Sequence, residues 1–124
     1  MLKTINRSEM TSILDEAGVT LGVPWSTDFL AAVNQRTDGS LLSFAIAEND
    51  GGLMTIHALW VTELLRGQGF GKQLLTEVLE GAEELSVEVV EVDFPQTEES
   101  QGLLQGESFD LTVSEGRVHG ELYM

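Results

Sequence analysis

The stretch Arg66-Gly67-Gln68-Gly69-Phe70-Gly71-Lys72 places three glycines and two of the chain's six basic residues in consecutive positions. An apolar pattern at helical spacing follows at once. The chain must therefore pass into a helix through a bend with little side-chain bulk in the way. The rest of the sequence carries 21 acidic residues, the formal net charge is −15, and a polyanion is repelled almost everywhere else. Bare amides and cations concentrated at the start of one helix form a local exception, the pattern of a phosphate cradle.

At 124 residues the chain is read as one domain, residues 1–124. A domain of this size buries roughly two-thirds of its unfolded surface, enough for a core without staples. There are no cysteines, which removes disulfides and thiolate metal sites. The two histidines, His57 and His119, form no close-spaced pair, so no metal is expected. The segment Met1–Arg7 lacks the apolar core of a signal peptide, and no apolar run approaches the ~18–20 residues that span a bilayer. The expectation is a soluble cytoplasmic protein with no membrane partner. A pI near 4.1 argues against nucleic-acid binding, which needs basic surface. It is compatible with a cationic acceptor such as an amine, and equally with charge that serves solubility.

Met1–Arg7 reads as a short first strand. Ser8 is the expected N-cap of a helix whose apolar face is Met10, Ile13, Leu14 and Ala17, stopped by Gly18. An irregular connection containing Trp25 follows. Phe29–Asn34, Leu41–Glu48 and Leu53–Val61 read as an antiparallel meander with turns at 37–40 and at Asn49-Asp50-Gly51-Gly52. The spacing of Phe70, Leu74, Leu75, Val78, Leu79, Ala82 and Leu85 predicts a helix over 69–85. Val87–Phe94 reads as a fifth strand whose alternation slips at Val89-Val90, the mark of a bulge or of two-sided burial. A short helix over 98–105 and a hairpin of 110–113 with 117–123 complete the order. The fold class is mixed α/β around one sheet.

Two better-known phosphate loops do not fit. A Walker A loop needs Gly at 66 and Ser or Thr at 73, where the chain has Arg66 and Gln73. A dinucleotide fingerprint needs different glycine spacing and a parallel unit before it. The segment Arg66-x-x-Gly69-x-Gly71, led in by Ile56–Leu65, resembles the acetyl-CoA signature of the GNAT N-acetyltransferase superfamily. The resemblance extends over the element order of nearly the whole chain, and Phe109 stands for the family's late Gly-Phe, with Ser108 in place of the Gly. It implies a GNAT-like domain whose central, mostly antiparallel sheet splays between strands four and five. It further implies acetyl-CoA as cosubstrate, with its pantetheine arm in the gap against Leu59, Trp60 and Val61. Its diphosphate would lie on Arg66, Gly67, Gln68, Gly69, Phe70, Gly71 and Lys72.

The activity implied is acetyl transfer to a primary amine of a small molecule or protein. Such an amine, with pKa near ~10.4, arrives protonated and needs a base. His57, on strand four, is the first candidate; its alternative is a packed strand residue bonded to a neighbour. Strict alternation puts it on one face with Thr55, Leu59 and Val61, unless a bulge intervenes. Glu63 is the second candidate, with a merely solvated side chain as its alternative, and His119 follows. Many family members carry a tyrosine, as the acid for the leaving thiolate, where this chain has Leu104; the only tyrosine is Tyr123. Gln96 and Thr97 stand near the usual asparagine of the strand-five exit without matching it. That departure leaves open a catalytically weak or inactive domain that binds CoA or a protein partner. Sheet edges and the last hairpin leave room for a homodimer.

Overall fold

In the computed structural model, Asn6 rather than Ser8 caps the first helix, α1 (Arg7–Ala17). The Asn6 side-chain oxygen accepts from the Glu9 N–H at 2.8 Å, and the Glu9 carboxylate accepts from the Asn6 N–H at 3.4 Å. This reciprocal box satisfies two helix-end donors, and such caps are worth about 1 kcal/mol. Because it starts the helix early, the first strand shrinks to β1 (Lys3–Thr4). The structure describes residues 1–95 and 98–124; the strand-five exit at Gln96 and Thr97 lies outside them.

The meander forms as read, as β2 (Phe29–Gln35), β3 (Leu41–Asp50) and β4 (Leu53–Val61). A 3-10 turn, Glu63–Leu65, and the glycine loop lead into α2 (Phe70–Glu84). Then come β5 (Val89–Pro95), α3 (Glu98–Gly106), β6 (Asp110–Ser114) and β7 (Arg117–Tyr123). They make a mixed α/β domain with one seven-stranded sheet in the order β1-β2-β3-β4-β5-β7-β6. Every pairing is antiparallel except β4 with β5.

The slip at Val89-Val90 is not a bulge. Register between β5 and β7 runs unbroken from Val89↔Tyr123 to Pro95↔Arg117. Val87 precedes the strand and is buried beside α2, while the Glu88 and Val89 N–H groups both reach the Gly52 carbonyl. The bulge lies in β4 instead. Ile46 pairs with Ala58 but Ala47 pairs with Ile56, so His57 is the extra residue.

Alternation sorts apolar side chains onto both faces of the sheet. Ala45, Ala47, Met54, Ile56, Val90, Val92 and Val118 pack with Leu74, Leu75, Val78 and Ala82 of α2 and with Leu104 of α3. On the other face Phe29, Ala31, Phe44 and Ile46 pack with Met10, Ile13 and Leu14 of α1. Each fully buried Leu, Met or Phe contributes roughly 1.5–3 kcal/mol by leaving water. Among the described residues, no helix is long and apolar enough to cross a membrane.

Ser108 keeps the left-handed backbone (φ 64°) of the glycine it replaces, which lets the Phe109 N–H bond to the Leu104 carbonyl at 3.1 Å. An L-residue pays roughly 1–2 kcal/mol there, partly offset by glycine's greater freedom when unfolded. Ser108→Gly is therefore expected to raise the unfolding free energy by about 0.5–1 kcal/mol. Urea denaturation checks this, and a lower midpoint would refute it.

Candidate active site

β4 and β5 pair over only four residues on each strand, from Leu53↔Val89 to Ile56↔Val92. Beyond that point β4 stays on β3 as far as Val61, and β5 stays on β7 as far as Pro95. The two strands part and leave a gap. The Thr62 N–H bonds to the Leu42 carbonyl at 2.8 Å, across to the β3 chain. Period-two alternation then directs the backbone polar groups of Val61 and Leu59 the other way, into the gap.

Arg66 folds the loop back onto the end of β4 by donating from Nε to the Val61 carbonyl at 3.1 Å. Gly67 (φ 79°) and Gly69 (φ 88°) take left-handed conformations, and Gly69 caps α2 without a side chain. Among the described residues, none of the backbone N–H groups from Gly67 to Lys72 meets an acceptor at hydrogen-bond geometry. A Cβ built on Gly67, Gly69 or Gly71 would have no heavy atom within 4 Å. Gly71 is the most telling, because its backbone is ordinary α-helix and no neighbour crowds it. Neither folding nor packing calls for glycine there; close approach by a ligand does.

A groove of about 620 Å³ opens over this loop, lined by Leu59, Val61, Arg66, Lys72, Phe94 and Leu103 among others. Neither Arg66 nor Lys72 is paired with a described carboxylate. Open amides, two unpaired cations and the start of a helix suit a diphosphate. The apolar groove and the strand gap beside it suit an extended arm, so the residues present fit acetyl-CoA. A second hollow of about 560 Å³, between α1 and the β1 edge of the sheet, has no glycine-lined cradle.

Trp60 does not face the groove: its ring stacks on Phe44 (centroids 5.5 Å apart, 18° between planes) on the α1 side of the sheet. The Gln68 side chain donates to the Leu64 carbonyl at 3.3 Å, while Phe70 does line the groove. Glu63 is exposed in the 3-10 turn and is not brought to His57. The bulge breaks the expected alternation. Leu59 and Val61 pack towards α2, whereas His57 lies edge-on to Phe29 on the opposite face, at 5.5 Å and 86°. Its Nε2 is 2.9 Å from Oε1 of Glu48, and it sits one residue past the last β4–β5 pair.

Strand register assembles a row that nothing in the linear sequence announces. Phe29, Glu48, Thr55, Glu91, Glu121 and Asp110 are successive cross-strand partners, hence neighbours on one face. Thr55 Oγ1 donates to Glu91 at 3.1 Å. The Tyr123 hydroxyl donates to Glu121 at 2.8 Å, and His119 Nε2 lies 3.2 Å from the same carboxylate. These bonds, Tyr123 first and His119 second, hold the Glu121 carboxyl below its usual range, and the first also pushes the Tyr123 hydroxyl up. Arg117 forms an ion pair with Asp93. Among the described residues, Glu91, His119 and Glu121 bring donor atoms within 4.8 Å of one another, a set able to gather a cation. α1 and the loop after it pack over β2, β3 and the far end of β4 on this face, and no β5, β6 or β7 residue joins that cluster among the described residues. Leu104, at the family's tyrosine position, is fully buried in the core. Tyr123 pairs with Val89, at the closed end of the β4–β5 contact, away from the gap.

Gly71→Ala is expected to keep or raise thermal stability, since alanine is the better helix former by about 0.8–1 kcal/mol. The same change should weaken acetyl-CoA binding by about 10–100-fold, the loss of one hydrogen bond to a charged group. Melting curves and calorimetric titration of the variant test both halves, and unchanged affinity would refute the cradle.

The profile of the Acetyltransferase (GNAT) family matches residues 6–105. No curated protein sequence matches the chain. Among solved structures, the ribosomal-protein-S18-alanine N-acetyltransferase of Escherichia coli superposes with TM-score 0.76 at 14% identity, over 99% of this chain and 92% of its own. The IAA acetyltransferase of Bacillus cereus gives 0.73 at 19% identity, over 100% and 99%. An acetyltransferase of Bacillus subtilis, in complex with CoA, gives 0.71 at 17% identity, over 100% and 97%. At these identities the likeness concerns the fold.

Proposed function

Since this chain belongs to the GNAT acetyltransferase family, we propose that it transfers the acetyl group of acetyl-CoA to a primary amine of a small molecule or protein. The observation that carries this reading is the run of six amides, Gly67 to Lys72, that no acceptor among the described residues engages, with no described heavy atom within 4 Å of a Cβ built on Gly67, Gly69 or Gly71. A structure of the same fold bound to CoA supports the choice of cosubstrate. When bound, acetyl-CoA supplies a thioester carbonyl open to attack by an amine.

The chain's own groups have distinct tasks. Loop amides, Arg66 and Lys72 hold the diphosphate. The gap-facing backbone of Leu59 and Val61 orients the arm, and an N–H there polarises the carbonyl. His57 takes the proton that the acceptor's ammonium must lose. Glu63, exposed and without a neighbouring group to orient it, is the weaker base. The acidic half-face around Glu48, Glu91 and Glu121 draws a cationic acceptor to the open side of the sheet. Among the described residues no acid stands in for the absent tyrosine, so the thiol, with pKa near ~8.5, leaves as thiolate.

Calorimetric titration with acetyl-CoA, and thiol release with polyamines, aminoglycosides, amino acids and peptide amines, test this. Saturable binding is expected, with thiol release for at least one amine. For a cationic amine, kcat/KM is expected to fall as salt rises through the range where the Debye length shrinks from ~30 to ~8 Å. Absence of saturable binding would end the reading. The burial of Leu104 favours one alternative, a domain that binds CoA with little or no turnover. Binding without thiol release across the whole panel would select it.

A further inference from the structure

We propose that Glu48 is a positioning residue for His57: its carboxylate holds the imidazole with the proton on Nε2 and leaves Nδ1 as the basic atom. The inference rests on the acetyl-transfer reading and adds to it a residue that neither the signature nor the family's element order singles out.

Three observations on separate elements converge. First, β4 spends its one bulge on His57, at the residue where it leaves β5. Bulges re-aim side chains and cluster beside active sites. Second, Glu48 is the cross-strand partner of Thr55, so His57 is its diagonal neighbour, within reach of a long side chain. The contact made is 2.9 Å from Nε2 to Oε1. Third, the pair is partly shielded, with side chains 15% and 29% exposed, and Phe29, the cross-strand partner of Glu48, meets the imidazole ring edge-on. An exposed pair would exchange its partners with water; this one has its geometry set by packing.

The chemistry follows from the donor inventory. A carboxylate only accepts, so Nε2 must carry the hydrogen, and the neutral ring then has its lone pair on Nδ1. In the transfer step a proton passes from the acceptor's ammonium to Nδ1. The freed electron pair forms the N–C bond, the C–S bond breaks, and the thiolate leaves with that bond's electron pair; the second proton on the newly acylated nitrogen, made acidic by N–C bond formation, is lost to solvent to give the neutral amide. His57 becomes an imidazolium whose second N–H still points at Glu48, which offsets its charge. The proton is afterwards returned to solvent.

The test combines a cycle and a spectrum. Glu48→Gln keeps the shape, removes the charge and lets the amide face Nε2 as donor or acceptor. It is expected to lower kcat by about 10–100-fold, part of the ~10²–10⁴ that a general base provides, with the Kd for acetyl-CoA unchanged. Made on a His57→Ala background, the same substitution should change kcat by less than about twofold, because a residue acting through another has nothing left to act on. Independently of any variant, ¹⁵N spectra of the unsubstituted protein should show His57 protonated at Nε2. A ring protonated at Nδ1 would overturn the proposal, as would equal losses in both backgrounds. No thiol release by the unsubstituted protein counts against acetyl transfer and with it any catalytic use of Glu48. Turnover that Glu48→Gln leaves intact counts against Glu48 alone.

Discussion

The parting of β4 from β5 is the constraint on which the site depends. Each strand is fully committed on its outer side: β4 is held by β3 to Val61, and β5 by β7 to Pro95. Between them only four rungs form before the bulge at His57 adds local twist to β4. A sheet twists by roughly 20–25° per strand in any case; here the bulge turns that tendency into a cleft. The cleft exposes backbone groups on β4, delivers the chain into the glycine loop, and opens the sheet between its two faces. Closing it by pairing Leu59 and Val61 with β5 would satisfy more backbone at the expense of the groove beside the loop.

The two faces of the sheet divide the work. On the α2 side the lining is apolar apart from the loop, whose two cations pair with no described carboxylate in a chain with a formal charge of −15. On the other side, beyond the apolar cluster that α1 packs on, strand register lines up Glu48, Glu91 and Glu121, with His57 and His119 beside them. On the proposed function, an anionic cosubstrate would be held at one end of the cleft and a cationic acceptor drawn to the opposite face. The surplus negative charge reinforces the separation, because it disfavours a polyanion everywhere except at the loop.

Much of the fold was legible in the sequence because it rests on local rules. The strands from 29 to 61 and the helix after Gly69 follow from alternation, turn residues and helical spacing, and they fall where those signals put them, within a residue or two. The misreadings have local causes too. Ser8 is a good cap by itself, but Asn6, an equally good one, has Glu9 three residues on and so satisfies two donors instead of one. Val87 fits a strand pattern yet is buried ahead of the strand, which made the alternation of β5 look broken. Trp60, next to two groove residues in sequence, turns to the other face because neighbours on a strand always do.

The sequence by itself determined that a glycine-lined bend with flanking cations opens the longest helix, and that the surrounding elements follow the family's order. Those properties depend on residues close together in the chain. Only the tertiary structure decided that the loop amides stay unengaged, that His57 is bulged out towards Glu48, and that Glu48, Thr55, Glu91 and Glu121 lie side by side. Cross-strand register joins positions tens of residues apart. It is set by packing on both faces of the sheet, and no short stretch of sequence encodes it.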